Sequence, residues 1–339
     1  MALSAPPAAP PIIAGDTVVI ALQAGGVVAF DLQTGKTKWR AEVSAERGIG
    51  VDGDRAVIAS RDTLYGLQLG SGEQVWRADT GILTAPPLAH GGWAVAATPA
   101  TVTAFRASDG SIVWTRSVGP IENRPAIDGD VLFLPILEGS IVALNLQTGD
   151  ERWETPLGGA PGEPLAAAGR VYVTASDKTL YTIDGGNGEI EWVKRVGAAP
   201  RGRAAVDDDR LYFVALDNVL RGLHRGHGAQ LWTKGLPYRP SAGPLFIGSG
   251  LLVPGAVTTL PVFDRRGNAL TELKYSSTVA GVSNVTTGVW DYPVVAIVTG
   301  DLQNPWTIWL LETSTEPPVI PVAVPSALPG ELIPIAPPR

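Results

Sequence analysis

The amino-acid sequence predicts an all-β protein, and three observations carry this prediction. Glycine and proline are abundant, with 40 and 29 copies among 339 residues, while helix signals are scarce. Short stretches such as DRAVIAS, RVYVTAS and RLYFVAL are rich in β-branched and aromatic residues and are bounded by Gly or Asp, which is typical of strands joined by tight turns. A repeated unit of about 40 residues then predicts an eight-bladed β-propeller of four-stranded antiparallel blades.

The repeated unit is defined by a glycine and a tryptophan four positions apart. In residues 29–39, AFDLQTGKTKW, these are Gly35 and Trp39, and the same spacing recurs five times. The further pairs are Gly72 and Trp76, Gly110 and Trp114, Gly149 and Trp153, Gly188 and Trp192, and Gly228 and Trp232. The tryptophans are 37, 38, 39, 39 and 40 residues apart, which matches the length of one propeller blade.

A second marker keeps the same period. About 23 residues before each tryptophan a turn is expected, several times in Asp-Gly-Asp form. The turn positions are Gly15, Gly53, Gly91, Gly129, Gly169 and Asp208. Each unit therefore reads as a strand, a turn, two β-branched strands, a Thr-Gly type turn and a strand that carries Trp, which is a four-stranded antiparallel meander.

Two later copies of the unit are weaker. Residues 262–272 keep Asp264 and Gly267 but have Thr271 where Trp is expected. Residues 309–320 keep the acid at Glu312 and have Ile320 in place of Trp, after an insertion near residues 277–293. With both copies counted, we expect eight blades.

The repeated residue types suggest packing roles. Glycine at the turn suits a hairpin position with positive φ, which costs glycine nothing. The small residue that opens each unit, such as Ala29 or Gly66, leaves room for a tryptophan of its own or of an adjacent blade. We expect that tryptophan to be buried with its N–H on a backbone carbonyl.

The unit A-x-D-x-x-T-G-K-x-x-W resembles the tryptophan-docking repeat of the pyrroloquinoline-quinone-like β-propellers. The first copy fits at every specified position: Ala29, Asp31, Thr34, Gly35, Lys36 and Trp39. The resemblance covers residues 12 to about 320 and implies that the tryptophans form a girdle that joins each blade to the next.

Three functional classes of that family are compared. Quinoprotein dehydrogenases are longer and carry adjacent cysteines and a calcium loop, whereas this chain has no cysteine. The BamB-like propeller lipoproteins of outer-membrane assembly are similar in size and blade count and use no cofactor, although the lipid-anchoring cysteine of that class is absent here. Sensor propellers of signalling proteins form the third class. We expect a BamB-like, non-catalytic scaffold without cofactor or metal, and the enzyme and sensor readings stay open as alternatives.

Composition limits the partners. The chain has 26 basic and 33 acidic residues, a formal net charge of -7, which argues against nucleic-acid binding. The absence of cysteine excludes disulfides and thiolate metal sites.

The first residues lack the features of a signal peptide and no apolar run spans a bilayer, so we expect no membrane span. The family resemblance implies the periplasm or cell envelope, with a cytoplasmic location left open as the alternative. We also expect a monomer that binds protein partners through one loop face.

Two polar motifs suggest chemistry but fit the repeat better. His224 and His227 have a spacing that can ligate metal. They occupy the slots of Asp31 and Thr34 in the first copy, so turn histidines are the simpler interpretation. The acidic run 207–209 aligns with the recurring turn between the first two strands and lacks the alternating oxygen ligands of a calcium loop.

Arginines precede the first strand of several blades and are candidates for partner binding. Arg47, Arg124 and Arg203 lie five or six residues before the turn marker, in loops that repeat proteins gather on one face. Such a cluster could receive a carboxylate-rich or strand-edge partner. The alternative is a set of exposed ion pairs with nearby glutamates, Glu46 and Glu122 among them. Tyr238 and Arg239 are added because both residue types are common in binding hot spots.

The prolines mark the ends of the repeat region. The expected division is a Pro-rich segment over residues 1–11, the propeller over 12–324 and a Pro-rich tail over 325–339. Prolines cannot occupy a central strand or a helix interior. The tail also contains valine, leucine and isoleucine, so we expect it to pack on the last blade or on a partner.

Overall fold

The computed structural model describes residues 3–23, 25–247, 250–282, 294–300 and 307–312. Within these residues the chain forms 31 β-strands, and every sheet pairs strands that are neighbours in sequence. Seven sheets have four strands and one has three, and all the pairings are antiparallel. The predicted all-β propeller built from four-stranded meanders is therefore confirmed.

The strands of the first four blades are β1 Ile12–Ala14, β2 Thr17–Ala21, β3 Val27–Asp31, β4 Thr37–Ala41; β5 Gly48–Asp52, β6 Arg55–Ala59, β7 Thr63–Gln68, β8 Gln74–Asp79; β9 Leu88–His90, β10 Trp93–Ala97, β11 Thr101–Arg106, β12 Ile112–Ser117; β13 Ala126–Asp128, β14 Val131–Ile136, β15 Ser140–Asn145 and β16 Glu151–Pro156. The remaining strands are β17 Leu165–Ala167, β18 Arg170–Ala175, β19 Thr179–Asp184, β20 Ile190–Arg195; β21 Ala205–Val206, β22 Arg210–Ala215, β23 Val219–His224, β24 Gln230–Gly235; β25 Leu245–Ile247, β26 Gly250–Leu252, β27 Thr259–Phe263, β28 Ala269–Lys274; β29 Val279–Val282, β30 Val294–Thr299 and β31 Thr307–Glu312.

The expected count of eight four-stranded blades is wrong, because seven sheets are complete. The last repeat unit forms the three-stranded sheet β29–β31, which we call the eighth sheet. The position expected to carry the fourth strand, around Ile320, lies outside the described residues, as does the tail 325–339. Val279 and Ile297 of the eighth sheet join the hydrophobic core of blade seven, and Val298 and Ile308 join that of blade one.

Burial follows the position of each strand within its blade. All six residues of β14 are buried, because neighbouring blades cover both faces of the middle strands. The outermost strand β12 is largely exposed, and Trp114 is its buried residue. The β-branched segments are thus the middle strands, and the tryptophan is the main anchor of each outer strand.

Each repeat tryptophan contacts the turn of the following blade. Its indole Nε1 donates a hydrogen bond to a backbone carbonyl in the turn between the third and fourth strands of that blade. The acceptors are Leu69 for Trp39 (2.7 Å), Ala107 for Trp76 (2.8 Å), Leu146 for Trp114 (2.8 Å), Gly185 for Trp153 (3.2 Å), Arg225 for Trp192 (3.0 Å) and Arg265 for Trp232 (3.1 Å). These contacts staple blades one to seven in sequence, as the girdle implied by the resemblance requires.

Two structural constraints favour glycine at the repeat position. Its φ is positive in every copy, for example +73° at Gly149, which L side chains rarely adopt. The indole of the preceding blade also covers it, since a Cβ on Gly149 would lie 2.7 Å from Cδ2 of Trp114. The first reason was predicted from the sequence, whereas the second appears only in the structure.

The small residue that opens each unit accommodates the tryptophan of its own blade. Ala104 lies opposite Trp114 in the β11–β12 pairing, and the register shifts by one residue directly after Ala104. At the same position in blade two, a Cβ on Gly66 would lie 2.0 Å from Trp76. A bulge next to a small residue therefore turns each indole toward the next blade.

The connections lie on two faces. The turn face holds the turns between first and second strands and between third and fourth strands, which are joined by bonds such as Leu69 N to Asp54 O at 2.8 Å. The loop face holds the turns between second and third strands and the entry loops, the segments that lead into each blade. These are joined by bonds such as Leu157 N to Gly139 O at 2.7 Å.

Replacing Trp114 by alanine removes a buried indole and its hydrogen bond to Leu146. We expect the free energy of unfolding to fall by about 3–5 kcal/mol, measured by urea denaturation. Lys36→Ala is the control, because Lys36 is an exposed residue of the repeat, and we expect a change within about 0.5 kcal/mol. Equal losses in the two variants would contradict the girdle.

Gly149→Ala and Gly129→Ala separate the two demands on glycine. Both residues have positive φ, +73° and +61°, but a Cβ on Gly129 has nothing within 4 Å. We expect a loss of about 1 kcal/mol for Gly129→Ala from backbone strain and about 2–4 kcal/mol for Gly149→Ala from strain plus overpacking. Denaturation curves that place the two variants at the same stability would show that the indole contact does not constrain the turn.

Candidate protein-binding face

The entry loops form a connected layer on the loop face. Isolated bridges fix several of them to the end of a second strand, as in Ile121 with Ile136 and Pro200 with Ala215. Side chains also link one loop to the next, for example Asn123 Nδ2, which donates to the carbonyl oxygen of Pro161 at 3.0 Å. Residues in these loops are thus presented on a rigid scaffold, which suits binding.

The three arginines predicted from the sequence lie in entry loops but have different environments. Arg47 and Arg203 are exposed. Arg124 is half-buried, and its Nη2 donates to the carbonyl oxygen of Ile49 at 3.2 Å, in the first strand of blade two. Arg124 lies in the entry loop of blade four, and Ile49 belongs to blade two. The arginine side chain therefore reaches across the inner side of the ring, where the first strands surround the central channel.

The expected ion pairs of these arginines with their sequence neighbours do not form. Within the described residues, neither Glu46 nor Glu122 pairs with Arg47 or Arg124. The nearest carboxylate oxygen to Arg203 Nη1 is instead Oε1 of Glu163, at 4.0 Å. The glutamate comes from the preceding entry loop rather than the same one, so the ring geometry determines the partner.

Arg124, Glu163 and Arg203 form one electrostatic cluster, which we call the channel cluster. Burial lowers the pKa of the Arg124 guanidinium from its ordinary value, Glu163 opposes that shift, and Arg203 adds to it. The three residues precede the first strands of blades four, five and six. Sequence reasoning missed Glu163, although superposing the repeat copies would have placed it in the same loop position as the two arginines.

Tyr238 and Arg239, the other two candidates, are separated by the structure. Arg239 is exposed on the entry loop of blade seven. Tyr238 is 7% exposed, and its hydroxyl donates to the carbonyl oxygen of Val253 at 2.8 Å. Burial raises the pKa of the Tyr238 phenol above its usual value. The tyrosine thus packs in the core of blade seven and supports the loop that presents Arg239.

The two histidines lie on the opposite face, in the turn predicted by the repeat. Their rings stack with centroids 3.9 Å apart, and the Nδ1 atoms of His224 and His227 accept hydrogen bonds from the backbone N–H groups of Gly226 and Ala229. The described residues contain no group of three His, Cys, Asp or Glu side chains placed to hold a metal ion. The geometry is that of a turn stabilised by its own side chains.

The acidic run 207–209 also stabilises the turn in which it lies. Asp207 Oδ1 accepts hydrogen bonds from the backbone of Asp209 and Arg210, and its Oδ2 accepts one from the Tyr212 hydroxyl at 2.7 Å. Burial and this carboxylate raise the pKa of the Tyr212 phenol. Arg225, which sequence reasoning missed, donates to the carbonyl oxygen of Asp207 and so ties the next turn to this one.

Among the described residues, no helix has the length and apolar character needed to cross a membrane. The described part of the loop face offers exposed arginines held by a hydrogen-bonded layer. Arginine pairs with carboxylates through a planar fork of donors, so this face suits acidic groups of a protein partner.

The fold and this face define a class, a tryptophan-stapled β-propeller with its charged loops gathered on one side. Comparison with known proteins narrows the class. The chain belongs to the family described as outer membrane protein assembly factor BamB, whose model matches residues 3–50, 44–163, 98–245 and 162–288.

Individual relatives agree with this family. The outer membrane protein assembly factor BamB of Burkholderia pseudomallei is 28% identical over 258 residues, 67% of this chain and 68% of that protein. The crystal structure of BamB from Moraxella catarrhalis superposes with a TM-score of 0.73 at 19% identity, covering 91% of this chain and 95% of that one. Quinohemoprotein alcohol dehydrogenase from Comamonas testosteroni shares the fold at 14% identity and a TM-score of 0.72, covering 91% of this chain and 74% of that one.

Tyr238→Phe tests the core role of the tyrosine. Removing the hydroxyl leaves the buried carbonyl of Val253 without this donor, so we expect a loss of about 1–2 kcal/mol in the free energy of unfolding. Arg239→Ala, one residue on, is the matched control and is expected to stay within about 0.5 kcal/mol. If the Tyr238→Phe variant is as stable as the parent, the hydroxyl does not contribute to the stability of the fold.

Proposed function

We propose that this chain is a non-catalytic propeller scaffold that binds protein partners in outer-membrane protein assembly. The observation that carries the proposal is the family match, which spans residues 3–288. Most of the relatives are named as assembly factors, and one, from Acidithiobacillus ferrooxidans, is named tetrathionate hydrolase. Because the assembly-factor names refer to the outer membrane, the proposal includes a location in the cell envelope, on the periplasmic side.

The proposed binding surface is the loop face. Arg47, Arg203 and Arg239 are exposed there, and arginine is enriched among residues that dominate binding energy. Because hydrogen bonds already hold these loops, the loop backbone loses little conformational freedom when a partner docks. Arg124 belongs to the same face but is half-buried, so its contribution is to the channel side of the surface.

The proposal also includes a monomeric ring that is closed by the three-stranded eighth sheet. The eighth sheet packs against blade seven on one side and blade one on the other, which supports its role as the closing element. A ring closed within one chain leaves the loop face free for other proteins.

Affinity capture from an envelope extract tests the binding surface. Tagged protein is expected to enrich a component of outer-membrane protein assembly, identified by mass spectrometry. The variant Arg47→Ala, Arg203→Ala, Arg239→Ala removes the exposed arginines, and we expect its capture to fall about tenfold or more, since each hot-spot arginine contributes on the order of 1–2 kcal/mol.

The control removes the same number of exposed arginines from the turn face. Arg106→Ala, Arg152→Ala, Arg266→Ala changes the net charge equally but leaves the loop face intact, so capture should stay at the parent level. Equal capture by parent and loop-face variant would remove these arginines from the interface. Stoichiometric uptake of pyrroloquinoline quinone together with calcium, detected by absorbance and metal analysis, would contradict the scaffold function itself.

A further inference from the structure

We infer that the channel cluster of Arg124, Glu163 and Arg203 is a binding site for a carboxylate group. The cluster is assembled from three different blades and lies where the entry loops reach the central channel. Arg124 contacts the first strand of blade two from the entry loop of blade four. A group bound here contacts the ring from the inside, apart from the other exposed arginines of the loop face, Arg47 and Arg239.

Unused hydrogen-bond donors are the first argument for a ligand. Nε of Arg124 is buried and has no hydrogen-bond partner, and of its donors only Nη2 has one within the described residues. The side chain of Arg203 makes no hydrogen bond to the described residues, and its 4.0 Å separation from Glu163 exceeds hydrogen-bond length. Buried donors without partners are rare in native proteins, so the buried Nε of Arg124 indicates an absent acceptor, and the exposed guanidinium of Arg203 is free to bind the same group.

The charge balance selects the ligand. Two guanidinium groups and one carboxylate give the cluster a net charge of +1, and Arg203 acts on Arg124 as a neighbouring like charge. One further carboxylate would neutralise the cluster, whereas a doubly charged phosphate would overcompensate and be repelled by Glu163. A carboxylate is also planar and matches the guanidinium fork.

Two sources offer the same chemistry, a free small carboxylate and an acidic side chain of a peptide. The inference does not depend on the proposed scaffold function, because a carboxylate site in the channel can exist with or without a protein partner at the rim. Its test accordingly uses pure protein and small probes, while the scaffold is tested by capture from an extract.

The experiment follows the arginine Nε–H signals of the full chain by NMR after ¹⁵N-arginine labelling. Signals are assigned with Arg124→Lys, Arg203→Lys and Arg239→Lys. Butyrate, a monocarboxylate, is titrated against sodium chloride of matched ionic strength, followed by the peptides acetyl-Gly-Glu-Gly-amide and acetyl-Gly-Gln-Gly-amide. We expect saturable shifts of the Arg124 and Arg203 signals with butyrate or with the Glu peptide, and none with chloride or the Gln peptide.

Two internal comparisons make the result decisive. Arg239 is an exposed arginine of the same face outside the cluster, and its signal should not saturate with the probes. Glu163→Gln removes the competing carboxylate and should tighten binding about tenfold. Saturation by butyrate alone identifies a small-molecule site and saturation by the Glu peptide a peptide site, and both support the inference. No saturable shift with either probe, an equal response at Arg239, or weaker binding by Glu163→Gln overturns it.

Discussion

The contact between a tryptophan and the glycine turn of the next blade is the interaction on which the rest of this structure depends. A four-stranded blade has two broad apolar faces and cannot bury them alone. The indole determines how neighbouring blades pack, because its N–H needs a backbone carbonyl as acceptor and its ring needs a residue without a side chain beneath it. Trp114 obtains both from the turn at Leu146 and Gly149. The period of the sequence is therefore the period of this contact.

The same constraint divides the surface of the molecule between two tasks. The turn face is committed to holding blades together, and where the carbonyl-bearing residue is Arg225, its side chain adds further bonds, to Tyr172 and to the carbonyl oxygens of Ala167 and Asp207. Among the described residues, the turns of the loop face receive no repeat tryptophan from a neighbouring blade, so their residues differ from blade to blade. That freedom allows arginines and a glutamate to accumulate on one side of an otherwise acidic chain.

How much the sequence predicts follows from the range of the interactions involved. The glycines and tryptophans can be found in the sequence because each belongs to a local hairpin that the repeat displays six times. The channel cluster was not found, because Glu163 meets Arg203 only when consecutive entry loops are brought together around the ring. The burial of Tyr238 was also not predicted, since its residue type suggested a binding site while the structure places its side chain in the core beneath the loop. The blade count failed where the repeat loses both of its markers, at Glu316 and Ile320.

The central claim is that indole and glycine turn act as one unit across the blade boundary, and a double-mutant cycle measures this most directly. The cycle combines Trp114→Ala with Gly149→Ala and compares the free energies of unfolding with those of the single variants. Removal of the ring makes room for the new Cβ, so we predict a coupling energy of about 1–2 kcal/mol. The cycle of Trp114→Ala with Gly129→Ala should be additive within about 0.5 kcal/mol. Additivity in both cycles would contradict the account.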